Sequence, residues 1–249
     1  MMAVVLAGGL GLRLRPYTMN IPKPLLPLGD TPTMDIVLRQ LAAQGFSRVV
    51  ITLGHLPELI TAILGDGSKY GIQIDYQNEP EPLGTAGPLR FVEELEETFL
   101  VMNGDLLTTV DYAGVVTDLA ARPSAASIVL ARRAVDIDYG VVHTDEHESL
   151  ARYEEKPTLD YFVSTGIYGL TREAVSHIPA GRYDMPSLMS SLVQSGHDVH
   201  CIKSDAYWQD IGRFDDYQNA SADFVAEPGR FLPPVQADGP VGEPERARL

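Results

Sequence analysis

The chain has 249 residues, and 45% of them are hydrophobic, which is enough for one large domain or two small ones with a substantial core. It carries 34 acidic and 19 basic side chains, for a formal net charge of −15, and this balance argues against nucleic acid or an anionic membrane as a partner, because both require a basic face. The single cysteine, Cys201, excludes an intramolecular disulfide framework, and with no signal peptide and no apolar run near the ~18 residues that span a membrane, a cytoplasmic protein is predicted.

The first half of the chain alternates between apolar runs and amphipathic segments, which predicts strands and helices in turn. Thr33 is expected to cap the first helix, which Gly45 ends, and the prolines from Pro16 to Pro27 exclude a long helix before it. After the opening strand 2–6 and this helix, the predicted elements are strand 48–53, helix 57–64, strand 72–76, helix 85–95, strand 99–102, helix 111–121 and strand 127–131. This order predicts a mainly parallel sheet with helices on both faces.

The second half begins with strands joined by short turns, at 140–143, 150–154 and 162–170, which is typical of a small β-rich insertion. Helix 184–194, strand 199–203 and helix 214–225 follow. Residues 226–249 contain five prolines and three glycines without periodicity, and they are predicted as an extended or disordered tail. The chain is thus divided into a domain 1–225 and a tail 226–249.

The opening 29 residues hold a cationic island in an acidic chain. They contain Arg13, Arg15 and Lys23 and no acidic residue. A glycine loop (residues 8–13, Gly-Gly-Leu-Gly-Leu-Arg) follows the first strand, and such loops turn backbone N–H groups toward a phosphate. An anion site is therefore predicted, with a chance charge cluster and a purely structural turn as the alternatives. An NAD-binding fingerprint fails because Leu14 stands where its last glycine belongs, and no Walker Gly-Lys-Ser/Thr sequence is present.

The whole opening stretch closely resembles the signature of sugar-1-phosphate nucleotidylyltransferases, also called nucleoside diphosphate sugar pyrophosphorylases. Their pattern G-G-x-G-x-R-L, followed by P-K-P, is met by Gly8, Gly9, Gly11, Arg13, Leu14 and Pro22-Lys23-Pro24. The resemblance recurs in order at 81–87, 103–105, 153–157, 166–168 and 208–212, so that it spans roughly residues 2–225. It implies a three-layer α/β/α, Rossmann-like fold with a β-rich sugar-binding insertion, and no hexapeptide β-helix follows in the sequence.

The family reaction joins a sugar 1-phosphate to a nucleoside triphosphate, and positioning and charge neutralisation supply the catalysis. The resemblance implies that Arg13 holds the leaving pyrophosphate, that Lys23 neutralises the phosphates and that Lys156 holds the sugar phosphate. It implies Mg²⁺ bound by Asp105 and Asp210, whose carboxylates suit that ion; turn formation is the alternative role for a Gly-Asp pair. The implied nucleotide-binding residues are Leu6, Ala7, Gly8, Gly9, Gly11, Glu79, Gly84, Thr85 and Asp105.

The base preference rests on Glu79, which stands five residues before Gly84, at the family position that faces the base. An ionised carboxylate only accepts hydrogen bonds, and guanine offers two adjacent donors, whereas uracil and thymine offer one donor between two acceptors. GTP is therefore favoured, and the segment 78–87 resembles mannose- and heptose-1-phosphate guanylyltransferases. Glu81 competes for the same role, and thymidylyl, uridylyl or adenylyl transfer remains the alternative.

The sugar site is implied at Gly140, Glu155, Lys156, Ser164 and Thr165. Ser164-Thr165 stands where the family usually has Asn-Ala, which leaves a mannose, a heptose or a cyclitol open as the sugar. A regulatory homologue without activity is disfavoured because Arg13, Lys23 and Asp105 are all present. The oligomeric state is left open, with a homodimer among the options.

Overall fold

The computed structural model describes residues 1–79 and 81–233. Its strands are β1 (Met2–Ala7), β2 (Pro27–Leu28), β3 (Thr31–Pro32), β4 (Arg48–Leu53), β5 (Gln73–Asn78), β6 (Thr98–Asn103), β7 (Leu106–Thr108), β8 (Ala126–Asp136), β9 (Val141–Thr144), β10 (Leu150–Glu154), β11 (Thr158–Thr171), β12 (Val199–Ser204) and β13 (Trp208–Asp210). Its α-helices are α1 (Thr33–Ala43), α2 (Pro57–Leu64), α3 (Tyr112–Ala120), α4 (Arg172–Val175), α5 (Met185–Gln194), α6 (Phe214–Ala226) and α7 (Pro228–Phe231). None of the helices in these residues has the length and apolar character needed to cross a bilayer.

Seven strands form one sheet in the order β12-β8-β11-β6-β1-β4-β5. β1 pairs in parallel with β4 and β6, β4 with β5, and β8 with β12, whereas β11 runs antiparallel to both of its neighbours. The predicted α/β fold with a mostly parallel, mixed sheet is confirmed. The parallel strands β1, β4, β5 and β6 all end at the same edge of the sheet, which is where ligands bind in open α/β folds.

The alternation of side chains along β1 separates two hydrophobic cores, one on each face of the sheet. Ala3, Val5 and Ala7 face the core that contains α1, α2 and α3, whereas Met2 and Val4 face the core that contains α5. Both faces of the strand are buried, which explains why its sequence is continuously apolar rather than alternating. The three-layer arrangement follows from this burial.

The β-rich insertion consists of the outer halves of two long strands together with a hairpin. The first half of β11 pairs with the second half of β8, and the register shifts between Ser164 and Tyr168. β9 and β10 form a separate antiparallel pair. The predicted strand 162–170 was too short at its start, because β11 begins at Thr158 and its first residues are mostly exposed.

The predicted helix 85–95 is wrong, because only a 3₁₀ turn over Gly87–Phe91 forms there. The N–H groups of Ala86 and Gly87 both donate to Tyr183 O, at 2.9 and 3.0 Å, and so they bind another segment of the chain. Pro88 has no N–H to contribute to a longer helix. Tertiary hydrogen bonding has therefore overridden the local apolar pattern.

Thr33 does not cap α1 but is its first residue. Its hydroxyl donates to Leu26 O at 2.8 Å, which ties the helix to the proline-rich stretch. At the other end of the chain, α7 places Phe231, 2% exposed, beside Phe224 and Tyr207. The first part of the predicted tail therefore forms a short helix that Phe231 anchors to the domain, and the tail from residue 234 onward lies outside the described residues.

Candidate active site

A cavity of about 640 Å³ lies at the carboxyl end of the parallel strands. It is lined by Gly8, Gly9, Leu10, Gly11, Leu12, Arg13, Lys23, Gly54, Glu79, Glu81, Pro82, Asp105 and Gly212. A second cavity of about 320 Å³ shares Gly8, Gly9, Glu79, Pro82 and Asp105 with it and adds Leu6, Thr52, Gly84, Thr85, Asn103, Arg182 and Asp184. The two cavities together form one cleft, and most of the predicted nucleotide-binding residues line it.

Close backbone approaches shape the glycine loop. A Cβ at Gly54, which directly follows β4, would overlap Gly8 O and lie 3.0 Å from Gly8 Cα. A Cβ at Gly8 would overlap Glu79 Oε1, so the absence of a side chain at Gly8 makes room for that carboxylate. Gly11 has a φ of 60°, a left-handed conformation that glycine adopts without strain. The predicted phosphate loop is therefore held in place by backbone contacts with the neighbouring strand end.

Lys23 and Asp105 form an ion pair in the cleft, and their side chains are only 11% and 19% exposed. Asp210 lies beside them, because β13 pairs with β7 and Ile211 N donates to Asp105 O at 3.0 Å. Arg13 reaches the same place: a Cβ at Gly212 would lie 3.0 Å from Asp210 Oδ2 and 3.3 Å from Arg13 Nη2. Two predicted cations and the two predicted metal ligands thus meet in one region.

The pKa of Asp210 is raised above its ordinary value by burial and by the neighbouring Asp105 carboxylate. Lys23 and Arg13 act in the opposite direction. Two adjacent carboxylates of this kind favour a bound cation, and they supply the hard oxygen donors that a divalent metal prefers, with phosphate oxygens and water completing its shell. The residues therefore fit a divalent metal, although the described residues contain no cluster of three or more acidic, His or Cys side chains.

Glu79 lies at the junction of the two cavities. Its backbone N–H donates to Leu53 O at 2.8 Å, which extends the ladder between β4 and β5, and its Oε2 accepts from Leu83 N at 3.1 Å. Burial raises the pKa of Glu79, and the hydrogen bond from Leu83 opposes that rise. The carboxylate is therefore partly desolvated and fixed in the cleft, while its neighbour Glu81 is exposed.

Gly84 and Thr85 join the cleft to the start of α5. Gly84 has a φ of 80°, and any side chain there would collide with Tyr183 and Asp184. Thr85 N donates to Asp184 Oδ1 at 3.2 Å, and Thr85 Oγ1 accepts from Met185 N at 2.7 Å. Both residues line the smaller cavity, but the Thr85 hydroxyl is already bonded to the helix, so its observed role is to fix the loop.

The predicted sugar residues lie on the β-rich insertion and do not line either of the two cavities. Tyr153 Oη donates to Glu155 Oε2 at 3.0 Å, and Gly140 packs directly against this pair. Lys156 is exposed in the turn between β10 and β11, with a φ of 44° that is unusual for a residue with a side chain. The structure therefore groups Gly140 with Glu155 but does not bring Lys156 into the cleft.

The two hydroxyls of the Ser-Thr pair have different surroundings. Ser164 is exposed, and its Oγ bonds Tyr168 Oη at 2.9 Å. Thr165 is 2% exposed, its hydroxyl donates to Val129 O at 2.8 Å, and its carbonyl accepts from Trp208 Nε1 at 2.8 Å. The Thr165 hydroxyl thus holds β11 to β8, and the prediction that Thr165 binds the sugar gains no support from its side chain.

Several residues that line the cleft were not among the predicted site residues. They include Thr52, Gly54, Asn103, Arg182, Asp184 and Gly212. Asn103 and Gly212 lie inside motifs that the sequence already shows, and Thr52 and Gly54 occupy the carboxyl end of a predicted strand, so their positions could have been inferred. Arg182 and Asp184 come from the segment just before α5, and no local signal links them to the cleft.

An α/β protein that gathers cations and carboxylates around a glycine loop at this edge of the sheet belongs to the class of Rossmann-like nucleotide-binding proteins. The comparisons narrow this class to one family. A model of the nucleotidyl transferase family matches residues 2–227, and the chain therefore belongs to this family, as the motifs predicted.

Several relatives resemble the chain over most of its length. It is 34% identical over 241 residues to a UTP–glucose-1-phosphate uridylyltransferase of Synechocystis, an alignment that covers 88% of the chain and 62% of the relative. It is 33% identical over 231 residues to a mannose-1-phosphate guanylyltransferase of Mycobacterium tuberculosis, with 90% and 64% covered. The chain thus spans less than two thirds of the length of these relatives.

One similar solved structure is that of HddC from Yersinia pseudotuberculosis complexed with GMP-PN. It superimposes with a TM-score of 0.68 at 25% identity, and the match covers 90% of this chain and 99% of that one. The relatives named above act on different nucleotides and different sugars, so family membership leaves both substrates open.

Proposed function

We propose that this protein is a sugar-1-phosphate nucleotidylyltransferase that transfers a nucleoside monophosphate, with GTP as the preferred donor, to a sugar 1-phosphate. The observation that carries this proposal is the meeting of Arg13, Lys23, Asp105 and Asp210 beside the glycine loop. In the proposed reaction, an oxygen of the sugar phosphate forms a bond to the α-phosphorus while the α–β bridging bond breaks, and pyrophosphate leaves with the electron pair. No covalent protein nucleophile is required.

The chain's cations have separate tasks in this proposal. Arg13, at the open side of the glycine loop, binds the β- and γ-phosphates and the leaving pyrophosphate. Lys23 contacts the α-phosphate region, where charge builds up in the transition state. Its ion pair with Asp105 supports this placement, because the ammonium is held next to a carboxylate that would hold the metal.

Nucleotidyltransferases of this family generally use a divalent metal. We infer that it is Mg²⁺, held by Asp105 and Asp210, because carboxylate donors and phosphate oxygens suit this hard ion. A bound ion of this kind would neutralise phosphate charge and orient the α-phosphate for in-line attack. Burial and the neighbouring Asp105 carboxylate both raise the pKa of Asp210, and this supports the assignment, since a bound cation would offset both effects.

Glu79 carries the proposed base preference. Its desolvated carboxylate lies between the two cavities, where it can accept hydrogen bonds from N1–H and the 2-amino group of guanine. The similarity to guanylyltransferases and to HddC complexed with GMP-PN supports this choice. A uridylyltransferase is the second candidate, because the Synechocystis relative is a uridylyltransferase.

The sugar 1-phosphate is proposed to enter from the side of the β-rich insertion. In this proposal Gly140, Glu155 and Ser164 would contact its hydroxyl groups, and Lys156 would contact its phosphate. Arg182 and Asp184 line the cleft on the other side and add a guanidinium and a carboxylate within the smaller cavity.

The proposal is tested by measuring pyrophosphate release for every pairing of GTP, ATP, UTP and dTTP with mannose, glucose and heptose 1-phosphates. We expect turnover with GTP to exceed that with the other triphosphates, and EDTA to abolish turnover until Mg²⁺ is restored. Turnover confined to UTP or dTTP would refute the Glu79 assignment but keep the class of reaction. No turnover with any pair would refute the enzyme assignment itself.

A further inference from the structure

Thr52 carries a buried hydroxyl that has no hydrogen-bond partner. The residue is 1% exposed, and only two buried side-chain polar atoms in residues 1–79 and 81–233 lack a partner, Thr52 Oγ1 and Ser127 Oγ. Nearly all buried polar groups in native proteins are hydrogen-bonded, because an unmade bond destabilises the fold. A partnerless hydroxyl in a ligand cleft therefore points to a partner that engages it during function.

The position of Thr52 indicates which group its hydroxyl can bond. It is the fifth residue of β4, it pairs with Leu6 and Gln77 in the neighbouring strands, and it lines the smaller cavity together with Glu79. The hydrogen bond from Glu79 N to Leu53 O holds the backbone of Glu79 beside this strand end. The Thr52 hydroxyl and the Glu79 carboxylate thus occupy the same corner of the cleft.

The two groups are chemically complementary. An ionised carboxylate only accepts hydrogen bonds, and a hydroxyl can donate one. Oε2 of Glu79 accepts from Leu83 N at 3.1 Å, and the carboxylate keeps further acceptor sites for a hydroxyl and for the two donors of a guanine edge. The Thr52 hydroxyl thus lies close to an acceptor with which it makes no hydrogen bond in the structure.

We propose that Thr52 is a positioning residue for base recognition, whose hydroxyl donates a hydrogen bond to the Glu79 carboxylate when the base engages it. The bond keeps the carboxylate oriented toward the base and in its ionised, accepting form. This inference rests on the proposed role of Glu79 and extends it to the strand behind it.

The electrostatics of Glu79 agree with this role. Burial raises its pKa, whereas the hydrogen bond from Leu83 N–H lowers it. The Thr52 hydroxyl also lowers the pKa, because it lies close to the carboxylate even though the pair does not have hydrogen-bond geometry, and no charged group in the described part of the chain contributes. The charged residues that line the same two cavities are Arg13, Lys23, Glu81, Asp105, Arg182 and Asp184. The ionisation of Glu79 therefore depends mainly on its hydrogen-bond donors.

The test compares Thr52→Val, which keeps the shape and removes the hydroxyl, with Thr52→Ser, which keeps the hydroxyl. The nucleotide dissociation constant is measured by calorimetry across pH, using whichever of GTP, ATP, UTP or dTTP turns over best in the wild-type protein. We expect Thr52→Val to weaken binding about tenfold at neutral pH. Binding should also be lost at a higher pH than in the wild-type protein as the pH is lowered, because Glu79 would protonate more readily. It should raise KM with kcat unchanged, and Thr52→Ser should restore wild-type values.

Thermal unfolding separates this role from a merely structural one. Because the hydroxyl has no partner, Thr52→Val should leave Tm unchanged or raise it while binding weakens. Ser127→Ala is the matched control, since it removes the other partnerless hydroxyl, which packs against Gly169 away from the cleft, and it should leave nucleotide binding unchanged.

An unchanged dissociation constant and pH profile in Thr52→Val, in a protein that turns over, would overturn the inference and leave the proposed function standing. Equal losses in the Val and Ser variants together with a lower Tm would also overturn it, because they indicate packing. Failure of the wild-type protein to bind any of the four triphosphates would overturn both the inference and the proposed function.

Discussion

Replacing Glu79 with Gln tests how the cleft selects its base. The substitution keeps the size of the side chain and its contact with Gly8, but it exchanges one acceptor oxygen for a donor. One of the two hydrogen bonds from guanine is then lost, because either the 2-amino group or N1–H of the base faces the amide NH₂ group of Gln, which is also a donor. A hydrogen bond to a charged group contributes about 1.5–3 kcal/mol, which corresponds to a roughly 10- to 150-fold fall in kcat/KM for GTP.

The assay is pyrophosphate release with GTP, ITP, UTP and dTTP. ITP lacks the 2-amino group, so the wild-type protein should prefer GTP over ITP, and Glu79→Gln should remove most of that preference while kcat/KM for UTP and dTTP rises or stays unchanged. The matched variant is Glu81→Gln, two residues along the same loop, which is expected to keep the preference for GTP. If Glu81→Gln loses the preference and Glu79→Gln retains it within about twofold, the reasoning from burial and position is refuted.

The same variant makes a prediction about pH. Because burial raises the pKa of Glu79 in the folded protein, the ionised form is lost at a higher pH than for an ordinary glutamate, and GTP affinity should fall as pH drops through that raised value. The effect on stability has the opposite sign. A raised pKa means that the folded state favours the protonated carboxyl, so Glu79 stabilises the fold at a pH below its pKa in the unfolded chain, and this contribution is lost as the pH rises. Glu79→Gln should therefore unfold at a higher temperature than wild type at neutral pH, with the difference vanishing toward acid pH.

Three further predictions concern the glycine loop, its cation and the C-terminal packing. Lys23→Met should reduce kcat at least a hundredfold in single-turnover measurements, because charge on the α-phosphate is no longer neutralised, and unchanged turnover would refute its catalytic role. Gly54→Ala should weaken nucleotide binding in calorimetry while the circular dichroism spectrum stays native, since its Cβ would displace the loop backbone at Gly8. Phe231→Ala should lower the free energy of unfolding in denaturant titration by about 3–5 kcal/mol, whereas Val225→Ala, at an exposed position of α6, should change it by less than about 0.5 kcal/mol.

The elements with both faces buried could be predicted from the sequence. The strand at Arg48–Leu53 agrees with its predicted limits, because a continuous apolar run ended by Gly54 has few alternatives. The segment around Gly87 could not be predicted, because its backbone is hydrogen-bonded to Tyr183, almost a hundred positions along the chain. The exposed start of β11 failed for a related reason, since its only partner is the distant strand β8.

The residues of the candidate site likewise fall into those that the sequence could predict and those that it could not. Arg13, Lys23 and Asp105 stand in local motifs, and a motif gives both the identity of a residue and its place at a strand end. Thr165 stands in a motif too, but the sequence does not show that its hydroxyl turns toward Val129. Arg182 belongs to no motif, and only the packing of α5 against the Gly84 loop brings it to the cleft.

The charge distribution explains how an acidic protein can bind a polyphosphate. A net charge of −15 repels extended polyanions, whose affinity depends on many phosphate contacts at once. A triphosphate needs only a few cations at short range, and Arg13 and Lys23 supply two of them. The side chain of Lys23 is only 11% exposed, and low solvent exposure strengthens its contacts. Asp105 forms an ion pair with Lys23 in the same place, so the Lys23 ammonium is not left as an isolated buried charge. We infer that a metal binding to Asp105 and Asp210 would release the Lys23 ammonium toward the phosphates, so that metal and nucleotide should bind cooperatively. Calorimetry should then show weaker GTP binding in EDTA for the wild-type protein, with a much smaller dependence on Mg²⁺ in Asp105→Asn.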